Sequence, residues 1–381
     1  MLKVKRLGVL LHWYQPPWQY PEVLDRIVDE CYRPLSRALE EHPVRCSVDL
    51  CWSLVDQLVA RGHDDVLTHL SAAARAGHVE FVETAAYHPI LPLLPPGVAA
   101  RQLRLNQERN RTVFGRAYQP RGVFPPELAW SPALAPVLHR LGYRWTITDD
   151  VAVALRDGEP PAGHTTMVEG GLRIVLRSNR WSNAVAFGTL DGACTAQAMT
   201  EDLESRLGGH PGYLLLAMDA ETFGHHRRDY ISFVTGFAGW CKSAGHAAMS
   251  SVGDIVEGFP SLPGEIPATS WSVLPDDVRA GIPYPLWDDG GALHRAGWEL
   301  VHLAAETTAA HPGLQAEFDR AISSCAFWWL SRSNWEPELA RRGFSMLVDV
   351  VQRTGDSGAV EHALTLYDRI FAHAGARGLA S

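Results

Sequence analysis

The sequence predicts an α/β barrel of seven parallel strands followed by a C-terminal α-helical bundle. Short apolar runs alternate with longer helical patterns over the first 289 residues, as expected of successive βα units. After residue 289, four helical segments follow one another with no strand pattern between them. A chain of 381 residues is long enough for a barrel and an accessory domain. We therefore expect a barrel domain over residues 1–289 and a helical domain over residues 290–381.

The seven predicted strands are short apolar runs, at residues 7–11, 47–51, 79–82, 122–124, 145–148, 173–176 and 213–218. Helical periodicity between them covers residues 23–40, 54–76, 98–114 and 133–141. Residues 149–210 contain many Gly and Pro residues, which is typical of a long insertion that forms a wall beside a site. In the tail, the predicted helices are residues 291–309, 314–331, 338–353 and 359–374.

Composition and charge exclude several classes of function. The net charge is −9, whereas a nucleic-acid-binding protein needs a surplus of basic charge. No window approaches about eighteen uninterrupted apolar residues, so neither a membrane span nor a membrane partner is expected. The sequence has no phosphate-binding loop, no dinucleotide fingerprint and no G-x-S-x-G elbow, and no cofactor is expected. A neutral substrate suits this composition best.

The cysteines indicate the compartment. The six of them show neither C-x-x-C pairs nor zinc spacing. Free thiols are typical of proteins in a reducing cytosol. The apolar run at residues 7–11 is also too short for the core of a signal peptide. We expect a cytoplasmic protein, and the sequence indicates no oligomeric state.

Polar side chains occur at or shortly after the ends of six of the seven predicted strands. They are His12, Glu83, Glu127, Asp149 with Asp150, Arg177 and Asp219. Because the carboxyl ends of barrel strands meet around one opening, these side chains are expected to face one cavity.

Two of these carboxylates stand in distinctive segments. Glu127 follows two prolines, and Asp219 comes directly after an apolar strand and shortly before two histidines. Cleavage of a glycosidic bond needs two carboxyl groups, of which one attacks the anomeric carbon and the other protonates the leaving oxygen. A single carboxylate at a strand end is more often a helix cap or part of a surface ion pair. Glu221 lies two residues from Asp219 and is an equal candidate for the acid.

Four motifs resemble those of glycoside hydrolase family 57, which comprises α-amylases, branching enzymes and 4-α-glucanotransferases. They lie at residues 12–16, 77–82, 122–130 and 219–226, and residues 325–329 are similar to the C-terminal bundle of the family. The resemblance implies a retaining glycoside hydrolase or transglycosylase acting on α-linked glucans. It implies Glu127 as the nucleophile and Asp219 as the acid/base, which must be protonated near neutral pH.

The chain departs from the family pattern in two places. Tyr14 stands where the first motif usually has a second histidine. Residues 83–89, which include His88, stand where the second motif usually runs into a glycine-rich turn that contains a Glu. Both changes fall in loops expected to contact sugar, so they bear on which oligosaccharide or polysaccharide is bound. One alternative is a catalytically silent sugar-binding relative.

Ten further residues are predicted to bind the substrate, because imidazoles and carboxylates bond sugar hydroxyls and indoles stack on sugar rings. They are His12, Gln15, Glu80, Trp130, Asp149, Arg180, Glu221, His225, His226 and Trp271. Histidines and an Asp near one barrel opening are also typical of metal-dependent carbohydrate deacetylases, which is the other alternative. These histidines show no H-x-x-x-H spacing and the resembled family needs no metal, so no metal is expected.

Overall fold

The computed structural model describes residues 5–378, and residues 1–4 and 379–381 of the two predicted domains lie outside this range. Each of the seven predicted strand segments is a strand. The strands before the tail are β1 (Lys5–Trp13), β2 (Cys46–Leu50), β3 (Val79–Val82), β4 (Gly122–Val123), β5 (Trp145–Asp149), β6 (Thr165–Met167), β7 (Arg173–Arg177), β8 (Tyr213–Asp219), β9 (Ala247–Ser250) and β10 (Ser261–Pro263).

The parallel strands curl into an α/β barrel. One run of neighbours is β3-β2-β1-β8, and a second run is β4-β5-β7, with β7 followed at the edge by β6 and β10. The backbone of Glu83 joins the two runs, since its N–H donates to Gly122 O at 2.9 Å and its carbonyl accepts from Phe124 N at 2.7 Å. On the other side, Ser178 N–H donates to Leu215 O at 2.8 Å, which links the end of β7 to β8.

Three of the strands are not among those predicted. β6 pairs antiparallel with β7, β10 pairs with β6, and β9 pairs in parallel with the first half of β1. Each has only three or four residues. A segment of that length shows no clear alternation of apolar and polar residues, so local pattern does not identify it.

The helices before the tail lie mainly in the βα connections. They are α1 (Pro21–Ile27), α2 (Arg33–Glu41), α3 (Trp52–Ala60), α4 (Asp64–Arg75), α5 (Pro96–Phe114), α6 (Ala135–Arg140), α7 (Val151–Asp157), α8 (Asn179–Phe187), α9 (Gly192–Leu207), α10 (Ser232–Ala244), α11 (Val252–Gly258) and α12 (Pro275–Ala280). The predicted helix over residues 54–76 is two helices, because Gly62 takes a φ of 74° after α3. The predicted helix over residues 23–40 continues through a π-helical turn at Val28–Tyr32.

The tail contributes five helices, which are α13 (Ala292–Ala309), α14 (Gln315–Ala321), α15 (Cys325–Trp328), α16 (Pro337–Thr354) and α17 (Ser357–Gly378). The predicted helix over residues 314–331 is interrupted, since it contains α14, α15 and strand β11 (Leu330–Ser331), which pairs with β12 (Asn334–Trp335). One apolar cluster includes Ala85 and Ile90 from the barrel together with Leu300 and Phe344 from the tail. The tail therefore shares its hydrophobic core with the barrel, and the domain boundary at residue 289 stays a prediction.

A buried ion pair joins α5 of the barrel to α14 of the tail. Asp319 is fully buried, and it accepts hydrogen bonds from Arg101 Nη2 at 2.6 Å and Gln102 Nε2 at 3.1 Å. Burial raises the pKa of Asp319, while the Arg101 guanidinium opposes that shift. The carboxylate of Asp319 therefore depends on Arg101 to remain ionised inside the protein.

We expect Arg101→Met to lower the free energy of unfolding by about 2 kcal/mol, because it leaves a buried carboxylate without its cation. The measurement is urea unfolding followed by far-UV circular dichroism. Arg353→Met is the matched control, since Arg353 pairs with Glu317 where both side chains are largely exposed. An exposed pair contributes at most about 1 kcal/mol. Equal losses in the two variants would contradict the importance of the Asp319 pair.

Candidate active site

His12 lies between two carboxylates at the carboxyl end of the barrel. The strand register pairs His12 of β1 with Asp49 of β2 on one side and with Asp219 of β8 on the other. Neighbouring strands are about 4.8 Å apart, so the register alone brings the three residues into one row. His12 Nδ1 lies 2.7 Å from Asp49 Oδ2, and both side chains are buried.

This environment makes His12 a cation at neutral pH. Burial lowers the pKa of the imidazole, but the charge and hydrogen bond of Asp49 outweigh that effect. The charges of Asp219 and Glu221 also favour the protonated ring, and the pKa of His12 is raised to about 9. Burial raises the pKa of Asp49 only to about 6, because His12 opposes the shift. A buried imidazolium–carboxylate pair is therefore the ordinary state of these two groups.

His88 receives the second N–H of His12. The two Nε2 atoms are 3.0 Å apart, and His88 Nδ1 lies 2.9 Å from Ser324 Oγ. Burial and the charge of His12 lower the pKa of His88 well below 6.5, so this ring is neutral. A protonated His12 donates from Nε2, so His88 accepts at Nε2 and carries its own proton on Nδ1.

Glu127 lies on a turn with unusual backbone angles. Its φ is 61° and that of Leu128 is 50°, a left-handed conformation that non-glycine residues rarely adopt. Trp271 secures the turn, since its backbone N–H donates to Glu127 O at 3.1 Å and its indole Nε1–H donates to Oε2 at 2.6 Å. Glu127 Oε1 lies 3.8 Å from His88 Nδ1. The carboxyl group is thus held between an indole and an imidazole.

Glu127 and Asp219 act on each other electrostatically. Burial and the charge of Asp219 raise the pKa of Glu127 to about 8, against the opposing charge of His12 and the hydrogen bond from Trp271. Because an unpaired charge is costly in this environment, Glu127 tends to retain a proton near neutral pH.

Glu221 is bound on the protein side of the same site. Its carboxylate is buried and accepts hydrogen bonds from Gln15 Nε2 at 2.7 Å and from the Tyr32 hydroxyl. Burial and the charge of Asp219 raise the pKa of Glu221 to about 7. Asp219 itself is only partly buried. Of these two neighbouring carboxyl groups, Asp219 is therefore the more accessible.

Arg177 supplies a second cation at the barrel opening. It donates from Nη1 to Asp149 Oδ2 at 2.5 Å and from Nε to Ala217 O at 2.8 Å. Its guanidinium lies 5.7 Å from the centre of the Trp271 ring. Asp149 is fully buried in this pair, so it holds Arg177 in place.

Three residues predicted to bind sugar lie elsewhere. Glu80 lies near the amino end of β3. Its Oε2 accepts from Ser47 Oγ and from Gly253 N, both at 2.9 Å, so it caps the start of α11. Trp130 is fully buried and its indole N–H donates to Ile266 O at 3.1 Å. Arg180 is 75% exposed and lies 3.9 Å from Asp202. Residue type and position near a motif do not reveal where a side chain points.

The two histidines after β8 lie in different surroundings. His225 Nδ1 is 2.5 Å from Glu30 Oε2, in a partly exposed pair. His226 is exposed, and burial of part of its ring lowers its pKa while Asp219 opposes that shift. His226 is therefore near enough to interact with Asp219, whereas His225 is bound to the π-helical turn after α1.

The structure adds Asp49, His88, Tyr32, Ser324 and Cys325 to the predicted site. Cys325 Sγ lies 3.2 Å from the hydroxyl of Tyr14, and burial raises its pKa to about 12. In the described residues, no group of three or more His, Cys, Asp or Glu side chains is arranged to hold a metal ion. Nor does any helix within residues 5–378 have the length and apolar character needed to cross a membrane.

The fold is an α/β barrel whose opening is lined by carboxyl groups. The profile of Glycosyl hydrolase family 57 matches residues 10–265, and the chain belongs to this family. An α-amylase of Pyrococcus horikoshii is 29% identical over 141 residues, which are 37% of this chain and 22% of the relative. A 4-alpha-glucanotransferase of Thermococcus litoralis is 26% identical over 141 residues, with 37% and 21% covered. The alignments span about a fifth of the length of these curated relatives.

Solved structures show the same fold. The crystal structure of the 4-alpha-glucanotransferase from Thermococcus litoralis superimposes with a TM-score of 0.75 at 16% identity, covering 92% of this chain and 60% of that chain. A GH57-type branching enzyme from Pyrococcus horikoshii superimposes with a TM-score of 0.71 at 15% identity, covering 97% and 94%. The fold is thus retained although few residues are identical.

We expect Asp49→Asn to lower the pKa of His12 by about 1 to 3 units, because it removes the charge that outweighs burial. The measurement is NMR titration of the imidazole nitrogens. Asp25→Asn is the control, since Asp25 is a surface carboxylate that binds His63 and Arg61. An unchanged His12 titration in Asp49→Asn would refute the imidazolium–carboxylate pair.

Proposed function

We propose that the protein is a retaining glycoside hydrolase or transglycosylase that acts on α-linked glucans. In this proposal Glu127 is the nucleophile and Asp219 is the acid/base. The observation that carries it is the electrostatic coupling of these two carboxyl groups beside the cationic His12. The substrate class is supported by the names of the relatives, which are α-amylases, 4-alpha-glucanotransferases and a branching enzyme.

The restraint on Glu127 supports its role as nucleophile. Its left-handed turn and the indole hydrogen bond from Trp271 fix one carboxylate oxygen, which leaves the other oxygen free to attack. Strained backbone of this kind persists where the surroundings hold it, and it concentrates at functional sites. A fixed attacking atom lowers the entropic part of the barrier.

The exposure of the neighbouring carboxyl groups supports Asp219 as the acid/base. Glu221 is saturated by Gln15 and Tyr32 and is buried, whereas no hydrogen bond within the described residues occupies Asp219. An acid/base must reach the leaving oxygen and later a water or sugar hydroxyl. Glu221 instead places a second carboxyl group beside Asp219.

The chemistry is a double displacement. In the reactive state of this proposal the proton held at Glu127 has passed to Asp219, so Glu127 is ionised. Glu127 attacks the anomeric carbon as the glycosidic bond breaks, and Asp219 gives its proton to the leaving oxygen. Asp219 then removes a proton from water or from a sugar hydroxyl, which attacks the glycosyl-enzyme and releases Glu127. Retention requires the two carboxyl groups to lie about 5–5.5 Å apart in the working enzyme.

The finer features of the fold belong to the same proposal. We propose that β1–β5, β7 and β8 are the seven strands of the barrel and that residues 290–378 form a helical accessory domain. The contacts of Ser323–Cys325 with the site support a functional role for this tail. The six unpaired cysteines support a cytoplasmic location.

Azide rescue separates the two roles. Glu127→Ala removes the nucleophile but leaves space, so azide is expected to attack an activated substrate and give a glycosyl azide of inverted configuration. Asp219→Ala keeps the nucleophile, so azide is expected to release a product of retained configuration from the covalent intermediate. The loss of rate on α-glucans without azide is expected to be on the order of 10²-fold or more for Asp219→Ala. Product configuration is read by NMR.

Glu221→Ala is the matched control for this experiment, because Glu221 lies two residues from Asp219. It is expected to give no azide-rescued product and to depend little on the leaving group. If Glu221→Ala depends on the leaving group and Asp219→Ala does not, the acid/base is Glu221.

The pH dependence follows from the raised pKa of Glu127. As pH rises through about 8, Glu127 loses its proton and the site no longer holds one to deliver to the leaving oxygen, so kcat/KM on an oligosaccharide is expected to fall above that pH. A substrate with a leaving group that needs no protonation is the control. Its kcat/KM is expected to persist above pH 8, because Glu127 is then ionised. If kcat/KM falls in the same way above pH 8 for both substrates, this proton is not the one delivered to the leaving oxygen.

A further inference from the structure

A directed chain of hydrogen bonds runs from β2 through β1 to the tail. Asp49 accepts from His12 Nδ1 at 2.7 Å, His12 and His88 meet through Nε2 at 3.0 Å, and His88 Nδ1 meets Ser324 Oγ at 2.9 Å. His12 and His88 are both buried, with 3% and 1% of their surface exposed. No solvent is needed to complete this chain.

The geometry allows two arrangements of protons in the chain, because the Ser324 hydroxyl can donate or accept, and the charge around His12 selects one of them. Asp49 can accept only, so His12 carries a proton on Nδ1. The contact between the two Nε2 atoms holds a single proton, and charge places it on His12, because three carboxylates act on that ring. His88 then has its lone pair on Nε2 and its proton on Nδ1, where Ser324 accepts it. Both ring nitrogens of His12 are thereby occupied within the protein, which leaves neither for a sugar hydroxyl.

We propose that His88 is a positioning residue, whose lone pair holds the cationic His12 in place beside Asp219 and Glu127. The inference rests on the proposed function for its effect on catalysis. His88 does not act on the substrate. It fixes the ring orientation of His12, and the charge of His12 in turn acts on the catalytic carboxyl groups.

Several titratable groups face this pair from the surrounding elements. Asp49 lies on β2, Asp219 and Glu221 lie at the end of β8, Glu127 lies on the turn after β4, and Tyr14 stacks on His88 with ring centres 3.9 Å apart. Cys325 joins the hydroxyl of Tyr14 from the tail. Asp49, Asp219 and Glu221 favour a cation at His12, and no group in this set provides a second acceptor for its Nε2–H.

The backbone at His88 shows that its position is enforced. His88 has a φ of 59°, in the left-handed region that favours glycine and asparagine. Its own carbonyl accepts from Ser324 N at 3.1 Å. Ser324 therefore holds both the backbone and the ring of His88, and the tail contributes directly to the geometry at the barrel opening.

Two substitutions separate the acceptor of His88 from its donor. The amide of Asn reaches the Nδ1 position, so His88→Asn keeps a group near Ser324 but loses the acceptor for His12. The amide of Gln reaches the Nε2 position, so His88→Gln keeps an acceptor for His12. Asparagine is also the better residue at a φ of 59°, so backbone strain alone would favour His88→Asn.

We expect His88→Asn to lower kcat on α-glucans about tenfold or more with little change in KM, and His88→Gln to retain kcat within about threefold. The NMR titration of His12 is expected to move to lower pH in His88→Asn and to stay near the wild-type value in His88→Gln. The reverse order of the two variants, or an unchanged His12 titration in His88→Asn, would overturn the proposal.

A second pair of variants tests the chain if the substitutions at His88 prevent folding. Ser324→Ala removes the acceptor that holds the His88 proton on Nδ1, so it is expected to lower the pKa of His12. Ser323→Ala is the control, since Ser323 binds the hydroxyl of Tyr14 at 2.7 Å and not His88. Equal His12 titrations in these two variants would overturn the proposal. If the wild-type protein does not act on α-glucans, the proposed function fails, yet the titrations still decide the role of His88.

Discussion

The burial of several carboxyl groups around one imidazolium is the constraint on which the barrel opening depends. Asp49, Asp219, Glu221 and Glu127 all act on or respond to the charge at His12. Carboxylates in such a place are stable only if a cation or a retained proton compensates for lost hydration. Burying these carboxyl groups is costly for folding. The same burial keeps a proton on one of them, and the proposed acid/base reaction needs such a proton.

Strand register and the tail together build this arrangement. The register of β1 with its two neighbours brings His12 next to both Asp49 and Asp219, whatever the loops contain. The tail then closes the chain of hydrogen bonds through Ser324 and holds Tyr14 through its hydroxyl. Since the tail also shares the core of the barrel, its helices are part of the site and not an appendage to it.

The two departures from the family pattern form one unit in space. Tyr14 and His88 stack with ring centres 3.9 Å apart and an interplanar angle of 13°. Neither change stands alone, because each ring limits the space and polarity available to the other. The two departures are thus in direct contact at the barrel opening.

The sequence by itself predicted seven segments that are strands in the structure, and it placed His12, Glu127 and Asp219 at or shortly after strand ends, because hydrophobic periodicity and strand ends are local properties. Only the tertiary structure decided that Asp49 and His88 join them, since those contacts form between residues 37 and 76 positions from His12. Side-chain direction was also beyond the sequence. A carboxylate or an indole near a motif is equally compatible with a cap, a core position or a sugar contact until the packing around it is complete.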